Sequence, residues 1–120
     1  MTALDVEKIV RRKTERKELL RSSLDNLLPQ LESLGAIRVV LFGSLVDGTT
    51  HSRSDLDILV VMPQERSGRD WSHIIYENVD LNVAADILVF NANELAEGLE
   101  TNRFLRQVVE KGRPVFERES

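Results

Sequence analysis

Two acids, Asp55 and Asp57, stand at the head of an apolar run, behind a Gly-Ser step, Gly43-Ser44, and a ten-residue spacer. The stretch reads LFGSLVDGTTHSRSDLDILVV. Residues two apart on a strand leave the same face, so the two carboxylates lie side by side. Such a pair repels itself unless a cation lies between, and a hard ion such as Mg²⁺, which takes oxygen ligands and keeps positions open for phosphates, suits it. Gly43 has no side chain, so the backbone can turn sharply there and admit a ligand close to the main chain. Ser44 offers a hydroxyl and an amide; if it opens a helical turn, the free N–H groups favour a phosphate. Together the two motifs predict a nucleoside triphosphate held by metal. Taken singly, Gly-Ser is a common turn and an Asp at a strand start is often a solvated loop end. Their spacing, with strand-like runs on both sides, favours chemistry.

Positioning these groups requires a strand on either side of the loop. Ile37 to Phe42 and Leu56 to Met62 are apolar on both faces, as in strands covered from both sides, and Pro63 ends the second. Ahead of them, residues 4–34 read as a helix with Leu20, Leu24, Leu27, Leu28, Leu31 and Leu34 on one face and Gly35 as its stop. Pro29 is expected to kink or divide it. After an exposed loop over 64–69, Asp70 is the expected cap of a helix through Trp71, Ile74 and Ile75 towards Glu77. Asp86 to Phe90 reads as a third strand, and Asn91 with Glu94 as a capping box for a helix through Leu99. A last helix spans 102–111 and stops at Gly112, and Arg113 to Phe116 forms an edge strand or an extended tail. Phe104, Leu105, Val108 and Val109 form an apolar stripe expected in the core, and Trp71 and Tyr76 are expected to anchor packing rather than stack on a base.

The 120 residues, 42% hydrophobic and 30% charged, fit one compact α/β domain, 1–120, with a helix over about 4–34 and a core over about 37–117. Cysteine is absent, which excludes disulfides and thiolate metal sites; His51 and His73 alone do not make a zinc site. No apolar run is long enough to span a membrane, and the charged N-terminus is unlike a signal peptide, so a cytoplasmic protein is expected. Residues 1–22 hold seven Lys or Arg against four acids, a balance of +3, which leaves −7 elsewhere for the net −4. Glu7 with Arg11 and Glu18 with Arg21 lie at helical spacing, so this segment reads as a solvated helix. It lacks the stacking aromatics of a single-strand binder, which argues against direct nucleic-acid binding.

Gly43-Ser44, the spacer and Asp55-x-Asp57 resemble the signature of the DNA-polymerase-beta-like nucleotidyltransferases, and the short length resembles their minimal nucleotidyltransferase branch. The resemblance implies an α+β fold with a small mixed sheet packed by helices. It also implies a third carboxylate on a later strand beside the first pair. Asp86, opening the run DILVF, is the candidate, with Asp80 as runner-up. The implied chemistry is two-metal transfer of a nucleoside monophosphate, with Asp55, Asp57 and Asp86 holding two Mg²⁺ ions and Gly43 and Ser44 gripping the phosphates of a substrate such as ATP. One departure stands out. Many relatives carry a basic residue soon after the Gly-Ser pair, where this chain has Leu45-Val46-Asp47-Gly48. Either Asp47 faces solvent, or Arg53 and an incoming cation compensate it.

A chain of this length leaves little room for a dedicated acceptor domain, so a second protein is expected to supply the acceptor. Minimal nucleotidyltransferases resemble the antitoxin half of toxin–antitoxin pairs, whose partner is a helical HEPN (higher-eukaryote-and-prokaryote nucleotide-binding) RNase that receives AMP from ATP on a tyrosine. Two other readings stay open: a small-molecule transferase of the aminoglycoside-modifying kind, and a nucleotide-binding module that neutralises a partner by occlusion. Homo- and hetero-oligomers are both compatible with these readings.

Overall fold

The computed structural model describes residues 2–119. Helix α1 spans Ala3–Leu34 and begins with a capping box. The Thr2 hydroxyl accepts the Asp5 N–H at 3.2 Å, and the Asp5 carboxylate accepts the Thr2 N–H at 3.0 Å. Leu20, Leu24, Leu27 and Leu31, spaced by three or four, are buried on one stripe. Full burial of a Leu is worth about 1.5–3 kcal/mol, so this half anchors the helix. The preceding residues are exposed or half-exposed, as expected for the solvated basic segment. Of the two outcomes expected at Pro29, division of the helix does not occur, and the proline lies inside it. It lies on the exposed side, where water can satisfy the carbonyl one turn earlier, and its own carbonyl accepts the Ser33 hydroxyl at 3.0 Å.

Strand β1 (Arg38–Phe42), one-turn helix α2 (Ser44–Asp47) and strand β2 (Leu56–Met62) follow, with β1 and β2 antiparallel. Helix α3 (Gly68–Asn78) leads to strand β3 (Ala85–Asn91), which lies parallel to β2. Its cap is Ser67 rather than the expected Asp70: the Ser67 hydroxyl accepts the Asp70 N–H at 3.1 Å. Glu94 explains the earlier start, because its Oε1 accepts the Gly68 N–H at 2.8 Å and also closes the Asn91–Glu94 capping box. That box opens helix α4 (Ala92–Thr101). Helix α5 (Arg103–Lys111) is capped by Asn102, and strand β4 (Arg113–Glu117) pairs antiparallel with β1. The sheet order is β3-β2-β1-β4, a mixed four-stranded sheet.

Alternation along the strands divides the core into two layers. Val39, Leu41, Leu56, Ile58, Val60, Met62 and Ile87 face α1 and α3. Val40 and Leu59 face Leu105 and Val108 of α5. Trp71 is a core anchor, as expected, with its indole N–H donating to the Pro63 carbonyl at 2.8 Å. Tyr76 is half-exposed, and its hydroxyl accepts the Ile87 N–H at 3.3 Å. The expected core stripe on α5 holds only in part: Leu105 and Val108 are buried, but Phe104 is 56% exposed. Among the described residues, no helix is long and apolar enough to cross a membrane.

Candidate active site

The strand register brings the predicted acids together. Asp57 lies opposite Asp86 across the parallel β2–β3 pair and opposite Phe42 across the antiparallel β1–β2 pair. Adjacent strands run about 4.8 Å apart. Alternation places Asp57, Asp86 and, just before the strand, Asp55 on the face that carries Leu59 and Val40. Asp57 is half-buried, whereas Asp55 and Asp86 are exposed. Burial, and then the charges of Asp86 and Asp55, push the Asp57 carboxyl above its ordinary value. Asp80 does not join them. It precedes β3 by five residues, and its N–H donates to Gln30 Oε1 on α1 at 2.8 Å.

Gly43 adjoins this carboxylate. Its φ of 78° lies in the left-handed region. A Cβ there would overlap Asp57 Oδ2 and lie 2.9 Å from Asp57 Cγ. Only glycine therefore lets the turn pass this close to the acid. Ser44 opens α2, the helical turn that the motif allowed. The Ser44 carbonyl accepts the Thr49 N–H at 3.0 Å and the Thr50 hydroxyl at 3.2 Å, but its own buried hydroxyl has no hydrogen-bond partner. A buried hydroxyl left unpaired costs free energy unless a ligand or water engages it.

The rest of the loop is fastened to its surroundings. Ser54 is buried, its hydroxyl accepts the His51 N–H at 2.8 Å, and its carbonyl accepts Arg16 Nε at 2.8 Å from α1. Since Asp55 follows directly, this bond holds the start of the acidic motif against the long helix.

A cavity of about 380 Å³ adjoins the glycine turn, lined by Phe42, Gly43, Asp47, Phe104, Gln107 and Lys111 among others. Asp47 is exposed, the first of the two arrangements expected for it, and Lys111 lines the same cavity wall.

The family profile for the nucleotidyltransferase domain matches residues 24–115. The chain belongs to this nucleotidyltransferase domain family. A solved structure from Sulfolobus solfataricus, described as a candidate nucleotidyltransferase, is similar over 92% of this chain and 88% of that one, with a TM-score of 0.55 and 20% identity, which shows a shared fold. No curated protein matches the chain.

Nucleotidyltransferase domains generally use a nucleoside triphosphate and a divalent metal. The donor set of this domain fits both: three carboxylates are hard oxygen ligands, and the Ser44 hydroxyl is free for a phosphate oxygen. The carboxylates do not form a ready-made cage, because among the described residues no group of three His, Cys, Asp or Glu side chains stands close enough to hold a metal ion. Like charges on one face repel, so rotation of the Asp side chains is needed to converge on a cation.

The sequence did not single out Arg16, Gln107 or Lys111, and it assigned Phe104 to the core. The helical spacing 104, 107, 111 marks one face of α5. Nothing local to that helix, however, discloses that the face borders Gly43.

Proposed function

We propose that this nucleotidyltransferase domain transfers AMP from ATP to a hydroxyl of a protein partner, and that it is the antitoxin partner of a helical HEPN-type RNase. The observation that carries the reading is the pairing of Asp57 with Asp86 on the sheet face beside Gly43. Asp55, Asp57 and Asp86 would hold Mg²⁺, which when bound neutralises phosphate charge and acidifies an acceptor hydroxyl. The Gly43 turn leaves room for phosphate oxygens, and the Ser44 hydroxyl donates to one of them. The acceptor oxygen forms a bond to the α-phosphorus, the bond to the bridging oxygen breaks, and pyrophosphate leaves. The hydroxyl proton passes to a carboxylate of the acidic face.

The exposure of Asp55 and Asp86 supports a macromolecular acceptor, since a hydroxyl on another folded protein can approach this end of the sheet. The partner's identity rests on resemblance to minimal nucleotidyltransferase antitoxins. The test is the intact mass of the protein encoded beside this one, after co-expression with wild type or with Asp55→Asn/Asp57→Asn. AMP additions are expected with wild type only. A partner that stays unmodified but still forms a complex would replace this reading with occlusion by a nucleotide-binding module. Neither complex nor modification would direct the search to small-molecule acceptors.

A further inference from the structure

Phe104 is an apolar ring left more than half exposed on a helix whose next residue, Leu105, is buried. It stands edge-on to Phe42 with ring centroids 6.3 Å apart and planes at 82°, and both line the cavity beside Gly43. Gln107 and Lys111 continue the same face of α5 along the cavity wall. From 104 to 111 the helix rises about 10 Å, comparable to the span from a nucleobase to its phosphates. Among the described residues, Lys111 is the one Lys or Arg lining this wall, on a side of the molecule that also carries Asp47, Asp55, Asp57 and Asp86. A polyanionic ligand arriving there needs a cation, and Lys111 supplies it.

We propose that this cavity between α5 and the Gly43 turn is the nucleoside subsite, in which a base stacks on Phe104, Gln107 meets the base edge and Lys111 pairs with the phosphate chain. The cavity volume falls within the range of about 300–1,000 Å³ of small-molecule sites, and an exposed aromatic with a few convergent polar groups is the usual make-up of one. The assignment rests on the nucleotidyl-transfer reading, which already requires a nucleotide at Gly43 and Asp57, and it adds which side of the turn takes the base.

The test is calorimetric binding of ATP and of inorganic tripolyphosphate, with Mg²⁺, to wild type, Phe104→Ala, Phe104→Trp and Lys111→Gln. Loss of one base–aromatic stack predicts about tenfold weaker ATP binding by Phe104→Ala. Tripolyphosphate binding should be unchanged in that variant, and Phe104→Trp should keep the wild-type ATP affinity. Lys111→Gln should weaken both ligands. Wild type that binds ATP no better than tripolyphosphate, or Phe104→Ala that binds ATP like wild type, overturns the nucleoside subsite and leaves nucleotidyl transfer standing. Parallel loss of both ligands in Phe104→Ala and Phe104→Trp also overturns it, since the ring would then be structural. Wild type that binds neither ligand overturns the transfer reading and this inference together.

Discussion

The two faces of one small sheet have been put to different uses. The face towards α1 and α3 is closed: Ile58, Val60, Leu56 and Met62 of β2 lie fully buried under Leu20, Leu27, Leu31 and Ile75. The opposite face has a much smaller buried centre, Val40 and Leu59 under Leu105 and Val108, and beyond it Phe42, Asp57 and Asp86 are left partly open. Side chains on neighbouring strand positions therefore meet contrasting surroundings. Ile58 is sealed in hydrocarbon, and Asp57, one residue earlier, looks onto carboxylates and a glycine turn. One layer holds the fold strongly enough that the other can carry like charges, an unpaired hydroxyl and a left-handed turn, each of which costs stability.

The largest effects should come from the buried centres. Ile58→Ala and Leu59→Ala remove side chains with no exposure from opposite faces. Truncations of this kind cost about 2–5 kcal/mol, and the cost falls where the surroundings can collapse or admit water. Ile58→Ala is expected near the top of that range and Leu59→Ala near the bottom, read by urea denaturation. Equal losses would contradict the division into a sealed and an open face.

Gly43→Ala tests the open face with a smaller disturbance. A methyl group at φ 78° and ψ −151°, a backbone conformation almost confined to glycine, costs about 1–3 kcal/mol, and here it also overlaps the Asp57 carboxylate. The overlapped atom is the far end of the Asp57 side chain, which can turn aside, so the stability loss should stay within that figure. Nucleotidyl transfer should fall by about 100-fold, because a displacement of about 1 Å at a reacting group costs that much. Thermal melts together with a transfer assay separate the two. Unchanged transfer would show that the turn plays no part in holding the substrate.

The sealed face was legible in the sequence, because its signals are local and periodic. The Leu stripe of α1 and the apolar runs of β1 and β2 need only spacing, and the Asn91–Glu94 box needs only four residues. The acidic motif was legible for the same reason, and Asp86 was separated from Asp80 by the apolar run behind it. The local signals failed where a distant residue decides the outcome. Ser67 and Asp70 are both good helix caps, and the choice is made by Glu94, 26 residues after Gly68. Phe104 belongs by spacing to the buried stripe of α5, yet the helix rests on the sheet through Leu105 and Val108. Lys111 and Arg16 reach the motif only through tertiary contacts that no window of sequence contains.

Asp57 gives the smallest effect. In the folded protein its carboxyl is held above the ordinary value by burial and by Asp86 and Asp55, so the fold disfavours the ionised form. Well below the ordinary Asp range the group is protonated in both states and has no effect on stability. As pH rises from that range through the raised folded value, the unfolded chain gives up its proton first, and stability falls by the cost of the charge. Asp57→Asn removes that cost, so its Tm should exceed that of wild type at neutral pH, with the gap closing below the ordinary Asp range. The group is half-buried, and solvent screening limits the gap to a few °C at most. Mg²⁺ should reverse the ranking: a cation bound to the folded acidic face raises the Tm of wild type and leaves the variant nearly unmoved. Melts from about pH 2.5, below the ordinary Asp range, up to pH 8, with and without Mg²⁺, check both signs, and an equal Mg²⁺ response in the two proteins would remove Asp57 from the ligand set.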